Sequence, residues 1–275
     1  MNLPKKGISS LVCFLETSSA KYVLIVPLSL TDGNGEARFL RNWERIGVNV
    51  PHVLEDGQLG EHPYLIMEYI NAPTLQDLVR DNKITDDTWK DIGRTLACMH
   101  TPKTNGFGRI SVEGKPEYQH FDDWLLGPDI EQRISTVRSF GLLGDEHGRI
   151  DKVFGTLLAY AEEKEFSTLC HFDLSPNNIL ATNPLTVFDP SPMLNYGIID
   201  VGRCMLSPLF HDQPLAAEAI KNGYFDSGVE YSASALQASI ILNAYWRFVY
   251  QQKIGRVKEM EVVRKYLVET SYLLE

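Results

Sequence analysis

The sequence predicts an α+β chain in two lobes, a small β-rich one over residues 1–70 and a larger, mainly helical one over 71–275. Three observations carry that expectation. Short apolar, β-branched runs punctuated by turn residues fill the first seventy positions. From about residue 73 onward, apolar side chains recur at three- and four-residue spacing. The change of pattern falls at residues 69–73, where Pro73 interrupts the chain.

The elements follow in order. Residues 10–17 and 21–29 are two β-branched runs joined by Ser18-Ser19-Ala20, a hairpin signal. A loop with Gly33 and Gly35 leads to a helix over 36–46, which sets Ala37, Leu40, Trp43 and Ile46 near helical spacing. Pro51 closes the turn beyond it. Residues 53–59 and 64–69 form a second strand pair, turning through Gly60. A short helix occupies 74–80. Thr85-Asp86-Asp87 then caps a helix carrying Trp89, Ile92, Leu96, Ala97 and Met99, which ends near His100 and Pro102. Residues 103–128 read as loop-rich with aromatic anchors at Phe107, Tyr118, Phe121 and Trp124. Helical pattern returns at 129–142 and 149–164, short strands and turns fill 170–200, and 232–271 is helical again.

Composition narrows the function. With 275 residues, 44% hydrophobic and 23% charged, the chain can bury a sizeable core, and nothing resembles a disordered, collagenous or coiled-coil sequence. The net charge is −10, and the stretch 71–239 carries all of it, with 14 basic against 24 acidic side chains. Such a chain is poorly suited to coat a phosphate backbone, so no nucleic-acid partner is expected. An acidic cleft there would instead attract a cationic small molecule. Cys13, Cys98, Cys170 and Cys204 are scattered with no zinc-ligand spacing and read as reduced thiols. No apolar run follows the basic N-terminal residues and none approaches eighteen residues, so a cytoplasmic protein without a membrane partner is expected.

The chemistry concentrates in Leu169-Cys170-His171-Phe172-Asp173-Leu174-Ser175-Pro176-Asn177-Asn178-Ile179-Leu180. His171, Asp173 and Asn178 form H-x-D-x-x-x-x-N, and Asp189 follows eleven residues after Asn178. One carboxylate can accept a hydroxyl proton, while an amide oxygen and a second carboxylate can share a hard metal ion. Phosphoryl transfer needs that set.

This segment resembles the catalytic loop of the aminoglycoside phosphotransferase and fructosamine kinase branch of the protein-kinase-like superfamily, whose usual form is H-G-D-L-x-x-x-N-[IV]-L. The likeness runs over almost the whole chain. Glu36-Ala37-Arg38-Phe39-Leu40 resembles the helix whose glutamate orients the nucleotide-binding lysine. Tyr64-Leu65-Ile66-Met67-Glu68-Tyr69-Ile70 resembles the interlobe hinge, and Gly93-Arg94-Thr95-Leu96-Ala97-Cys98-Met99-His100 the helix ending in L-A-x-L-H. Asn105-Gly106-Phe107-Gly108 followed by Trp124 resembles the lobe insertion.

The resemblance implies a bilobal protein-kinase-like fold, with Asp173 as catalytic aspartate and Asn178 and Asp189 as Mg²⁺ ligands. It implies that the hinge backbone at Glu68 and Ile70 holds the adenine of ATP, or the base of GTP, beside Met67. Glu36, Ser9 and Ser10 complete the implied nucleotide site. A rival metal ligand, Asp200 in Ile198-Ile199-Asp200-Val201-Gly202, lies twenty-two residues past Asn178, too far for the family's interval. It matches instead the aspartate that, with His171, supports the catalytic loop.

Three departures stand out. Ile25 in Tyr22-Val23-Leu24-Ile25-Val26 takes the place of the nucleotide-binding lysine. Lys21 shares its strand face but lies roughly 13 Å away at about 3.3 Å per residue. Only six residues precede Gly7, which abbreviates the phosphate-covering strand and loop, and Phe172 replaces the glycine of H-G-D. The expected function is an ATP- and Mg-dependent small-molecule kinase acting on a hydroxyl of an amine-bearing acceptor such as an aminoglycoside or amino sugar. Asp122, Asp123, Asp212 and Glu230 are the candidate acceptor-binding carboxylates. The alternative, motivated by Ile25, is a kinase-like binding protein with impaired catalysis. A protein substrate is a third reading, disfavoured by the lack of an A-P-E motif after Asp189 and by Pro190, Pro192 and Pro208.

Overall fold

The computed structural model describes residues 10–27, 35–111, 113–141 and 147–270. In chain order they form β1 (Ser10–Glu16), β2 (Lys21–Pro27), α1 (Gly35–Arg45), β3 (Val53–Leu59), β4 (His62–Glu68), α2 (Leu75–Arg80) and α3 (Asp86–Met99). Then come β5 (Phe107–Ile110), β6 (Pro116–Tyr118), α4 (Phe121–Leu125), α5 (Pro128–Ser139), α6 (His147–Glu162) and β7 (Thr168–Cys170). A 3-10 turn (Pro176–Asn178) precedes β8 (Ile179–Leu180), β9 (Thr186–Val187), β10 (Met193–Asn195), α7 (Gly197–Phe210), α8 (Pro214–Phe225), α9 (Ala233–Lys253) and α10 (Val257–Glu269). The fold is mixed α+β, an antiparallel sheet in the N-terminal region and helices in the C-terminal one, as the sequence predicts. Two compact units share the chain. One comprises Met1–Ile84, Arg109–Glu117 and His171–Leu194, the other Thr85–Gly108, Tyr118–Cys170 and Asn195–Glu275.

In the first unit the antiparallel sheet has the order β1-β2-β4-β3. The β1–β2 hairpin pairs Ser10 with Pro27 and Glu16 with Lys21. Thr17 closes its turn, donating its N–H to the Ala20 carbonyl at 2.9 Å and accepting the Ala20 N–H on its hydroxyl at 3.0 Å. Period-2 alternation sends Cys13, Val23, Ile25, Leu65 and Met67 into the core. Helix α1 buries Ala37, Phe39, Leu40 and Trp43, whereas Ile46, placed on its apolar face by spacing, lies beyond the helix end and is exposed. Full burial of Phe39, Leu40 and Trp43 stabilises the unit by about 2–3 kcal/mol each. A capping box starts α2: the Thr74 hydroxyl accepts the Asp77 N–H, and the Asp77 carboxylate accepts the Thr74 N–H at 3.2 Å. Two backbone bonds tie the β8–β9 hairpin to earlier segments, Val187 N–H to the Asn49 carbonyl at 3.0 Å and Ala181 N–H to the Pro73 carbonyl at 2.9 Å.

The second unit is built on helices. Thr85 caps α3, its hydroxyl accepting the Thr88 N–H at 3.3 Å. α3 and α8 cross at paired glycines, where a Cβ on Gly93 would overlap the Ile220 carbonyl and one on Gly223 the Lys90 carbonyl. α9 is the central helix, burying Leu236, Ile241, Tyr245 and Phe248. Its Ser239 and Asn243 side chains donate to the Ile198 and Ile199 carbonyls of α7, each at 2.9 Å. The buried Arg149 holds the C-terminal end of α10 through the Leu267 and Thr270 carbonyls at 2.7 and 2.9 Å.

The elements differ from expectation in several places, among them residues 103–128, which form β5, β6 and α4 around the aromatic anchors where mostly loop was expected. The helical stretch read over 232–271 is two helices, broken where Gly255 turns to φ 70°. α7 starts inside the stretch read as strands and turns, and α8 fills a segment where periodicity indicated nothing. Gly197, Ile198, Ile199, Val201 and Gly202 are weak helix formers, and Pro208 sits inside α7. Packing against α9 outweighs that propensity. All four cysteines are free. Among the described residues no helix is long and apolar enough to cross a membrane.

Candidate active site

The H-x-D-x-x-x-x-N segment forms a knot of short-range hydrogen bonds in the first unit. His171 is fully buried and stacks flat on Trp43 of α1, ring centroids 5.8 Å apart. Its Nδ1 accepts the Asp173 N–H at 3.3 Å, so Nε2 carries the ring hydrogen and donates to the Phe188 carbonyl at 3.1 Å. Two further bonds lace the loop to the segment that carries Asp189: Phe188 N–H to the Asn178 carbonyl at 3.0 Å, and Ser191 N–H to the His171 carbonyl at 2.8 Å.

Asn178 is buried at the end of the 3-10 turn. Its Nδ2 donates to the Asp173 carbonyl at 2.8 Å and to Asp173 Oδ2 at 3.1 Å. One carboxylate oxygen of Asp173 is thereby fixed, and the Asn178 amide oxygen is left as the acceptor end. Phe172 and Asp189 both adopt left-handed backbone, φ 58° and 56°. Phe172 therefore occupies a conformation that glycine takes without strain, at a cost of about 1 kcal/mol. Its ring is buried.

Carboxylates dominate the electrostatics. Asp189 keeps an exposed edge, yet the protein around it and the nearby Asp173 raise its pKa to about 6. Glu36, in the first turn of α1, is raised to about 8, by burial first and by Asp189 second. Its Oε1 is buried with no hydrogen-bond partner among the described residues. The start of α1 lies against the loop after Asp189, for a Cβ on Gly35 would sit 3.1 Å from Pro192 Cγ. Asp173, Asn178, Asp189 and Glu36 thus offer only oxygen donors to a metal, the chemistry that suits Mg²⁺.

The remaining sequence-derived candidates are placed as follows. Met67 is buried between Val23 and Val53 in the sheet. Glu68 accepts the His52 N–H on Oε1 at 3.0 Å and donates its own N–H to the His52 carbonyl at 3.0 Å. Ile70 accepts the Ala72 N–H at 3.1 Å, and its own N–H has no partner among the described residues. Ser10 opens β1; Ser9 lies outside the described residues. Ile25 is buried in β2, and Lys21 is engaged with Glu16 at 3.2 Å. In the second unit Asp122 and Asp123 stand exposed in the first turn of α4, and Asp212 is exposed in the turn after α7. Glu230 is ion-paired to Lys164 at the rim of a cavity of about 400 Å³.

Sequence reasoning missed a buried network in the second unit. Asp200 accepts from His100 Nε2 at 3.1 Å, and His100 Nδ1 meets the Tyr224 hydroxyl at 2.9 Å. Cys170 Sγ, His100 and Asp200 bring their ligand atoms within 4.8 Å of one another. The Cys170 thiol donates to the Asn195 carbonyl at 3.6 Å, and burial and the Asp200 charge push its pKa far up. The thiol is thus turned to a backbone carbonyl within the same buried hydrogen-bond network. The sequence offered two signals, His100 at the end of an L-A-x-L-H-like helix and Asp200, read as a support of the catalytic loop and seen here on His100.

The chain is similar to known proteins in sequence and in fold. The profile of the phosphotransferase enzyme family matches residues 2–248. The aminoglycoside 3'-phosphotransferase of Streptomyces ribosidificus is 27% identical over 189 residues. That alignment takes in 68% of this chain and spans 65% of the relative's length. The apo crystal structure of a thermostable mutant of aminoglycoside phosphotransferase APH(4)-Ia superposes with a TM-score of 0.68 at 16% identity, covering 99% of this chain and 95% of that one. Another crystal structure of that enzyme, a ternary complex with AMP-PNP and hygromycin B, gives 0.67 at 17% identity, covering 98% and 91%. The ethanolamine kinase of Plasmodium vivax gives 0.62 at 13% identity, covering 95% and 79%.

Proposed function

The chain belongs to the phosphotransferase enzyme family, and from that premise we propose that it is a small-molecule kinase that moves the γ-phosphoryl group of ATP to an acceptor hydroxyl, with Mg²⁺. The observation that carries the proposal is the clamp of Asn178 on Asp173 beside Asp189. Asn178 Nδ2 holds one oxygen of Asp173, which aims the other at the acceptor. The acceptor oxygen forms a bond to the γ-phosphorus as the bond to the β,γ-bridging oxygen breaks, ADP leaves, and Asp173 takes the hydroxyl proton. Asn178 Oδ1 and Asp189 would hold the metal, which when bound offsets the phosphate charge. His171 keeps the loop in register through Phe188 and Trp43. The Ile70 N–H, without a partner among the described residues, is suited to donate to a base nitrogen of the nucleotide.

The acceptor we propose carries amines. The acidic excess of residues 71–239 favours a cation, and the similar crystal structure is a ternary complex with AMP-PNP and hygromycin B. Asp122, Asp123 and Asp212, exposed and acidic, are the candidate contacts; Glu230 would first have to leave Lys164. The test is ADP release from Mg-ATP across a panel of amino-sugar antibiotics, with wild type and Asp173→Asn. The proposal expects acceptor-dependent turnover that falls by about 10²–10⁴-fold in the variant. A second reading, a kinase-like binder, is favoured by Ile25 alone; it expects no Mg-dependent ADP release with any acceptor.

A further inference from the structure

Glu36 has lost the role its position implies. In the kinase-like pattern its partner is a strand lysine, but Ile25 stands there, buried and apolar, and Lys21 is engaged with Glu16. The Oε1 atom of Glu36 is buried with no donor among the described residues. A buried carboxylate oxygen left without a partner is expensive, so an occupant that meets it is expected. Its surroundings say what that is. Asp189 is the charged group that acts on Glu36, and Asp173 the one that acts on Asp189, with no basic side chain among the described residues that do so. The contact of Gly35 with Pro192 fixes the first turn of α1 against the loop that carries Asp189. Carboxylates gathered without a cation from the described residues, with a neutral amide oxygen nearby, form a set for a hard divalent ion.

We propose that Glu36 belongs to the divalent-cation site, and that Glu36 and Asp189 together take an ion such as Mg²⁺ or Mn²⁺ before any nucleotide arrives. The bound ion then supplies the positive charge that the missing lysine does not. The inference rests on the metal-site reading of Asp189 made above. A site with two carboxylates and an amide oxygen from the protein needs less help from phosphates than one with a single carboxylate.

The test is titration of Mn²⁺ into nucleotide-free protein, with free Mn²⁺ followed by electron paramagnetic resonance, for wild type, Glu36→Gln and Asp189→Asn. Circular dichroism of each variant checks the fold. The expected result is one Mn²⁺ bound by wild type, with affinity lowered tenfold or more by either substitution. Binding that Asp189→Asn weakens and Glu36→Gln leaves intact overturns the role of Glu36 while keeping the metal site. A wild type that takes Mn²⁺ only together with ATP also overturns it, and again spares the kinase reading. If Mn²⁺ fails to bind even with ATP, both fall.

Discussion

Phe172 tests whether backbone strain is built into the catalytic loop. It sits between His171 and Asp173 at φ 58°, where a Cβ costs about 1 kcal/mol. Its ring is 5% exposed, and truncating a buried phenylalanine costs about 3–5 kcal/mol. Phe172→Ala keeps the strain and loses the ring. Phe172→Gly loses the ring and also relieves the strain, while glycine's looser unfolded chain returns part of that gain. We therefore expect both variants to be less stable than wild type by several kcal/mol, with Gly above Ala by about 0.5–1 kcal/mol. The assay is urea unfolding followed by tryptophan fluorescence, to which Trp43, stacked on His171, contributes a local signal. Alanine as stable as glycine, or more so, would refute the strain argument. Either variant matching wild type would refute the burial argument.

Other expectations follow from the same geometry. Gly93→Ala should destabilise by about 2–3 kcal/mol, because its methyl group meets the Ile220 carbonyl rather than a yielding side chain; a thermal melt within a degree of wild type would contradict the close crossing of α3 and α8. Asp77 is held below the usual carboxylate range by the Thr74 hydroxyl first and its N–H second, so its contribution is present above pH 3.8 and lost as pH falls through the lower folded value. Asp77→Asn should flatten the acid limb of stability against pH, and an unchanged limb would show that the capping box does not persist in solution. Ile25→Lys should be far better tolerated with Glu36 present than in a Glu36→Gln background, with a coupling of about 2 kcal/mol in a double-mutant cycle. Additive effects would place positions 25 and 36 out of reach of each other. If the acceptor is cationic, its KM should rise clearly with salt, and a flat response would remove the acidic-cleft argument.

What could be read from the sequence was what local chemistry determines. The β1–β2 hairpin, the Thr85 cap and the H-x-D-x-x-x-x-N loop depend on neighbours within a few residues, and each carries its own signal. α7 did not, because Ile198, Ile199, Val201 and two glycines resist helix formation until Ser239 and Asn243 of α9 meet their carbonyls from forty residues away. The site divides in the same way. Asp173, Asn178 and Asp189 were singled out by the H-x-D-x-x-x-x-N pattern together with the resemblance to the kinase-like catalytic loop. The lack of a partner for Glu36 Oε1 among the described residues depends on the fold, and the left-handed turn at Phe172 on the bonds around it, neither of which a motif records.

The central claim is that Asp189 belongs to a metal-dependent nucleotide site. Calorimetric titration of ATP with and without Mg²⁺ into wild type and Asp189→Asn tests it most directly. The account predicts binding that requires Mg²⁺ and is weakened by the substitution. Binding indifferent to both Mg²⁺ and Asp189 would contradict the metal site, and no nucleotide binding under any condition would leave only a kinase-like fold with another use.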